Sequence, residues 1–149
     1  MRGADPAGDA CAPGLPLFQL LIMIKIGTDI IEISRIEKAI KSQKFLQKCF
    51  SPAEAELIKI KGAKTAAANF AGKEAVAKAL GCGFKYFFPK DIEILRQADI
   101  PVVILQNRAK EIADTLGVIS IEISLSHSKN YAVAMVIVLF HRPELSDSP

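Results

Sequence analysis

From Tyr131 to Phe140 the chain is an almost unbroken run of apolar residues. A run of this kind reads as an interior strand, because alternate residues of a strand face opposite sides and here both sides are apolar. Just upstream, Ile119-Ser120-Ile121-Glu122-Ile123-Ser124-Leu125 alternates, so that strand buries one face only. The polar turn Ser126-His127-Ser128-Lys129-Asn130 joins the two into a hairpin. A chain with this hairpin must build a sheet and supply helices to cover it.

The rest of the sequence supplies them. Ile24 to Thr28 reads as a short strand ending at Asp29, and Ile33, Ile36 and Ile40 then recur at helical spacing, with Arg35 and Lys38 on the other faces. Ser51-Pro52-Ala53-Glu54 is a capping box with proline at the first helical position, so a helix starts there and ends near Gly62. A second, alanine-rich helix is expected over Ala66 to Leu80, with Thr65 as its cap and Gly81 as its stop. Asp91 to Leu95 and Pro101 to Leu105 read as a hairpin, and Asn107 is expected to cap a helix to Leu116. The order argues an α+β domain with an antiparallel sheet packed on helices.

At 149 residues the chain suits one domain, and half of it is hydrophobic, enough to bury a core. The folded unit is expected over 23–140. Residues 1–22, rich in Gly, Ala, Pro and Asp over their first part, read as an unstructured leader, and 141–149 as a tail. The apolar run Leu15 to Ile24 is too short to span a bilayer and lacks the basic start of a secretory signal. Cys11, Cys49 and Cys82 are odd in number and form no CxxC pair, so neither a zinc site nor a disulfide framework is suggested and a reducing cytoplasm fits. Net charge is only +3, but between Arg35 and Lys64 eight basic residues face three acidic ones. That segment is either a solvated face or a surface for an acidic partner, a polyphosphate or a nucleic acid. Only Phe45 and Phe50 fall among those lysines, too few for a run of stacked bases, which disfavours nucleic acid.

Three places could carry chemistry. Asp29, after Gly27 and Thr28 at the end of a strand, reads as a hard-cation ligand or as a helix cap. Glu74 and Lys78 stand four apart on one helix face, with Phe70 one turn earlier. On so apolar a helix that pair either lies at a wet edge or holds a ligand. His127, between two serines, reads as a turn residue or a catalyst. With His141 the only other histidine, a zinc hydrolase is disfavoured.

In combination these segments say more. Gly27-Thr28-Asp29-Ile30-Ile31-Glu32-Ile33-Ser34-Arg35-Ile36, then Phe50-Ser51-Pro52-Ala53-Glu54, then Phe70-Ala71-Gly72-Lys73-Glu74-Ala75-Val76-Ala77-Lys78-Ala79-Leu80-Gly81 closely resemble the holo-[acyl-carrier-protein] synthase group of phosphopantetheinyl transferases. Ile123 to Ala132 resembles that family's last hairpin, and the resemblance spans roughly Ile24 to Leu139. It implies transfer of the 4'-phosphopantetheine arm of coenzyme A to a serine of apo acyl carrier protein, for fatty acid synthesis, releasing adenosine 3',5'-bisphosphate.

By the same resemblance Asp29 and Glu74 hold Mg2+ and, with Lys78, form the catalytic set. Lys73, Lys78, Gly81, His127 and Ser128 bind coenzyme A, Phe70 is expected beside them, and Lys61 or Lys64 is expected to supply a phosphate contact if Asn69 leaves one missing. Arg35 binds the carrier, and Lys38, Lys44 and Phe45 of the same basic segment are expected to join it. The family forms trimers with sites between subunits, and on that reading Asp29 and Glu74 come from different subunits. Asn69 departs from a basic residue common in the family, which puts one phosphate contact in doubt, and Asp99-Ile100 departs from Gly-Lys. Two alternatives remain open at this point: a coenzyme A or nucleotide binding module without transfer, and a transferase serving a different carrier domain.

Overall fold

The computed structural model describes residues 22–141. The expected leader and tail fall outside them, except that Ile22 and His141 pair as the ends of two strands. The main sheet contains β1 (Ile22–Glu32), β4 (Val118–His127) and β5 (Tyr131–His141), antiparallel, in the order β1-β5-β4. The apolar strand is thus the central one. A second sheet is the hairpin of β2 (Ile92–Gln97) and β3 (Ile100–Leu105). Five α-helices, α1 (Ile33–Ala39), α2 (Gln43–Cys49), α3 (Pro52–Lys61), α4 (Ala63–Leu80) and α5 (Asn107–Thr115), and two short 3-10 segments, Gly83–Lys85 and Pro89–Asp91, complete the described residues. None is long and apolar enough to cross a membrane.

The core forms where α4 lies across β1 and β5. Its alanines Ala66, Ala67, Ala71, Ala75, Ala77 and Ala79 are all buried, and the face turned to the sheet joins Ala132, Ala134, Val136, Val138 and Phe140 of β5 in one core. Small residues allow close approach, and the closest point is Gly27. A Cβ there would sit 1.9 Å from the Ala75 carbonyl oxygen, so any side chain at Gly27 would push α4 off the strand. Gly81 ends α4 in the left-handed region at φ 84°.

Several boundaries differ from expectation. β1 does not stop at Asp29 but pairs with β5 as far as Glu32, opposite Tyr131. The basic segment holds a break: the Ser42 hydroxyl accepts from Phe45 N and starts α2, separating Lys38 on α1 from Lys44 and Phe45 on α2. The capping box at Ser51 and Glu54 is present in full, and Gly62 follows α3. Thr65 does not cap α4, which starts directly after Gly62 without a side-chain cap. Asn107 does not cap α5 either. It is the first helical residue, at φ 46°, and its amide donates to Asp91 Oδ1 while Gln106 N donates to the Asp91 carbonyl.

The β2–β3 turn carries left-handed backbone at both central positions, Ala98 (φ 47°) and Asp99 (φ 67°). Asp tolerates that region, but alanine is strained there by roughly 1–2 kcal/mol. Glycine would remove that strain at an entropic cost of about 0.5–1 kcal/mol. Ala98→Gly is therefore expected to stabilise the protein by roughly 0.5–1 kcal/mol, seen as a rise of a few degrees in unfolding temperature. An unchanged or lower unfolding temperature would show that the turn is relaxed as it stands.

Candidate active site

Register places Lys25, Gly27, Asp29 and Ile31 on the inner face of β1, alternating with outward-facing Ile24, Ile26, Thr28 and Ile30. Because Gly27 lets α4 touch this face, the helix presents Glu74 and Lys78, one turn apart, to the neighbouring Asp29. Lys78 Nζ donates to Asp29 Oδ1 at 2.8 Å and to the Thr28 carbonyl at 2.9 Å. The Asp29 side chain is 17% exposed and that of Lys78 52%, so the pair sits at a wet edge with one partner sheltered.

Burial pushes the Glu74 carboxyl above its ordinary pKa. The Asp29 charge adds to that shift, and Lys78 and Arg35 oppose it. Two carboxylates and two cations from β1, α1 and α4 thus share one site. It brings together Asp29, Glu74, Lys78 and Arg35.

Asp29 and Glu74 lie close enough within one chain for their charges to interact, which corrects the expectation that they come from different subunits. The cause is the Gly27 contact, which packs α4 onto its own β1. Both groups are hard oxygen donors, and their mutual repulsion is what a cation between them relieves. Among the described residues no group of three or more His, Cys, Asp and Glu side chains gathers to hold a metal. Magnesium is commonly held by only one or two carboxylates plus water and phosphate oxygens, so the pair fits that ion.

The expectation for Lys73 is also corrected. Its side chain is fully buried and faces away from Glu74, toward α3 and β2. Its ammonium donates to Glu54 Oε2 at 2.7 Å, to the Pro89 carbonyl at 3.1 Å and to the Ile92 carbonyl. All three protons are taken, leaving none for a ligand. Burial pulls its pKa down, and Glu54 partly restores it. Asn69 belongs to the same network, donating to Glu54 Oε1 and the Ile94 carbonyl and accepting from Arg96. It is 0% exposed, so the departure at this position concerns the core rather than a phosphate contact.

Phe70 packs against Phe45 and Phe50, with ring centroids 5.9 and 6.5 Å away, linking α4 to α2. Lys61 and Lys64 are exposed around Gly62, and Lys61 lies 3.9 Å from Asp99. Arg35, Lys38 and Lys44 are exposed, and Phe45 is half-buried. His127 and Ser128 are exposed in the β4–β5 turn, where the Ser128 hydroxyl accepts from Asn130 N and Tyr131 N. The turn is tied to α1 by Ile33 N donating to the Asn130 carbonyl, but no hydrogen bond or ion pair joins His127 to Asp29, Glu74 or Lys78. One residue escaped the sequence reading. Lys25 Nζ lies 3.8 Å from where a Gly81 side chain would begin, beside the negative end of α4. The signal was present, because strand alternation puts Lys25 on the same face as Asp29.

Residues 25–136 match the family model of the 4'-phosphopantetheinyl transferase superfamily. The chain is 48% identical over 120 residues to the holo-[acyl-carrier-protein] synthase of Moorella thermoacetica, covering 78% of this chain and 94% of that protein. This chain belongs to the holo-[acyl-carrier-protein] synthase family. The family's Chlamydia caviae member is 49% identical over 119 residues, covering 76% of this chain and 95% of its own length. Among solved structures, the Helicobacter pylori synthase in complex with coenzyme A superposes with a TM-score of 0.68 at 39% identity, covering 76% of this chain and 98% of that one. The Bacillus anthracis synthase with coenzyme A (3',5'-ADP) gives 0.66 at 32% identity, covering 80% and 98%. Family membership accords with the α+β fold and places the Asp29–Glu74–Lys78 cluster inside the matched segment.

Proposed function

We propose that this chain is a holo-[acyl-carrier-protein] synthase, transferring the 4'-phosphopantetheine arm of coenzyme A to a serine of apo acyl carrier protein in the service of fatty acid synthesis. The observation that carries the reading is the convergence of Asp29, Glu74, Lys78 and Arg35 on one edge of the sheet. The serine hydroxyl gives up its proton to a base of the site or to water, and its oxygen forms a bond to the diphosphate phosphorus on the pantetheine side. The bond to the bridging oxygen breaks, and adenosine 3',5'-bisphosphate leaves. Reactions of this kind need mostly positioning and charge stabilisation.

Asp29 and Glu74 would hold Mg2+, which supplies positive charge to the diphosphate when bound. Lys78, on a half-exposed side chain, exchanges its Asp29 contact for a phosphate oxygen and stabilises charge on the departing bisphosphate. Lys25 and Gly81 border the same end of α4, where an ammonium and an open backbone suit the nucleotide's phosphates. A cytoplasmic location belongs to this proposal and is supported by the free thiols of Cys49 and Cys82.

Release of adenosine 3',5'-bisphosphate from coenzyme A, followed by chromatography, tests the reading. Release must require a carrier with its acceptor serine. Coenzyme A binding without release would leave a binding module instead. Arg35 is exposed on α1 beside the site, and with Lys38, Lys44 and Phe45 it is the proposed docking face for the acidic carrier. Arg35→Glu should weaken carrier binding by tenfold or more, with the association rate of the wild type falling as salt rises. A salt-independent rate would count against this face.

A homotrimer is also proposed. The outer face of β1 and β5 supports it: Ile24, Ile26 and Ile30 are 61–64% exposed, and Val133 and Met135 are 40% and 46% exposed beside them. On the same face β4 carries Ser120, Glu122, Ser124 and Ser126, so the apolar patch stops at a polar border. A contiguous patch of this kind marks an interface. Met135→Glu is expected to convert the assembly to monomers by light scattering. A wild type that is monomeric and fully active would end the trimer reading. With Asp29 and Glu74 in one chain, mixing Asp29→Ala with Glu74→Ala chains should restore nothing. Mixing Asp29→Ala with His127→Ala chains should restore activity if His127 of the partner subunit completes the site.

A further inference from the structure

A cavity of ≈ 660 Å³ lies between α2, α3 and the start of α5. None of its lining residues belongs to the Asp29 site or to the outer face of the sheet. Its apolar walls come from Ile40, Leu46, Phe50, Ala55 and Ile58. It adjoins a second cavity of ≈ 260 Å³ through Gln47 and Lys90, which line both. The smaller cavity adds Lys44, Lys48 and the ring of Phe88. No carboxylate lines either space.

The polar groups are distributed in a way that selects a ligand. On the α3 and α5 side of the larger cavity they are already used, while the Gln43 and Gln47 amides stand on the exposed face of α2 at its rim. The Ser51 hydroxyl donates to Glu93, Gln106 donates to Glu93 Oε2 at 3.1 Å, and Asn107 donates to Asp91 at 3.0 Å. Lys59 at the rim is held by Glu56. A peptide would bring backbone donors and acceptors into a space that offers them little, which is costly. A hydrocarbon chain asks for nothing there. At the other end Lys44, Lys48 and Lys90 form no ion pair among the described residues, and Lys90 lies 6.0 Å above the Phe88 ring centroid. Three uncompensated ammoniums at the mouth of an apolar chamber complement one anionic head on an apolar tail. The larger volume lies within the range of small-molecule sites, about 300–1,000 Å³.

We propose that the two cavities form one binding site for a fatty-acid carboxylate, with its chain among Ile40, Leu46, Phe50 and Ile58 and its head at Lys44, Lys48 and Lys90. This site is separate from the Asp29 centre, although its Lys44 also belongs to the proposed carrier-docking face.

The test is titration of the full chain with dodecanoate below its micelle-forming concentration, followed by calorimetry. Saturable binding is expected at one dodecanoate per chain, at least tenfold tighter than dodecanoate methyl ester, with no binding of acetate. Lys90→Glu should weaken dodecanoate tenfold or more, and Gln47→Trp, which fills the neck between the cavities, should abolish saturation. Both positions are exposed, and circular dichroism confirms that each variant is folded. Equal affinity for acid and ester overturns the proposal, as does an absence of saturable binding. Dodecanoate binding unchanged in both variants also overturns it, because the lipid would then lie elsewhere, for instance on the outer face of the sheet.

Discussion

Lys73→Met is expected to cost about 3–5 kcal/mol of stability, the scale for removing one partner of a buried ion pair. Lys73 and Glu54 are both 0% exposed and 2.7 Å apart, and the Lys73 ammonium also satisfies the Ile92 carbonyl at the start of β2 and the Pro89 carbonyl just before it. Methionine fills much of the same volume but leaves the Glu54 carboxylate and both carbonyls with unmet partners. Five residues further along the same helix, Lys78→Met should cost at most about 1 kcal/mol, because its side chain is half-exposed to solvent. Urea unfolding distinguishes the two. The ranking inverts for transfer, where Lys78→Met should lose far more than any folded Lys73 variant. Equal stability losses would mean that the Lys73 network is not what locks α3 and β2 to α4.

Glu74→Gln is expected to stabilise the protein while removing its activity. Burial, and then the Asp29 charge, raise the Glu74 pKa above its ordinary 4.5. Between that ordinary value and the raised one the folded chain binds more protons than the unfolded chain. Stability therefore falls as pH rises through this window, and the penalty persists at neutral pH. Glutamine keeps the shape and removes the charge. Without divalent cation the variant should unfold at a higher temperature than wild type at pH 7. Magnesium should raise the wild-type unfolding temperature by binding the folded state and should leave the variant nearly unchanged. Transfer should fall more than about a hundredfold, the scale for losing one electrostatic element of a site. A variant less stable than wild type at pH 7 would show that Glu74 is a structural partner and not a strained ligand.

Local signals were legible in the sequence where the chain interacts with itself nearby. The Ser51–Glu54 box, the Gly81 stop and the β2–β3 hairpin are set by neighbours three or four residues apart. The pairing of Glu74 with Lys78 followed from helical spacing. That Asp29 joins them depends on a distant contact, the Gly27–Ala75 approach, which the sequence suggested only through its glycine.

Lys73 was misplaced because adjacency in sequence is not adjacency in space. On a helix of 3.6 residues per turn it lies about 100° from Glu74, on the same side as Asn69 and facing α3. The continuation of β1 past Asp29 was hidden because Ile30, Ile31 and Ile33 fit a strand and a helix about equally well. Pairing with β5 as far as Glu32–Tyr131 decides between them. The interior position of β5 was legible in its apolar run, and of its two apolar faces one chain covers that of Ala132, Ala134, Val136, Val138 and Phe140.

The account rests on one site, built by a single chain, performing the transfer. Its most direct test is the intact mass of an apo acyl carrier protein after incubation with coenzyme A, magnesium and either wild-type chain or a folded Asp29→Ala variant. The wild type should add one phosphopantetheine to every carrier, and the variant, or the wild type in excess chelator, should leave the carrier at its apo mass. Full modification by the folded Asp29→Ala chain, or in chelator, would contradict the account.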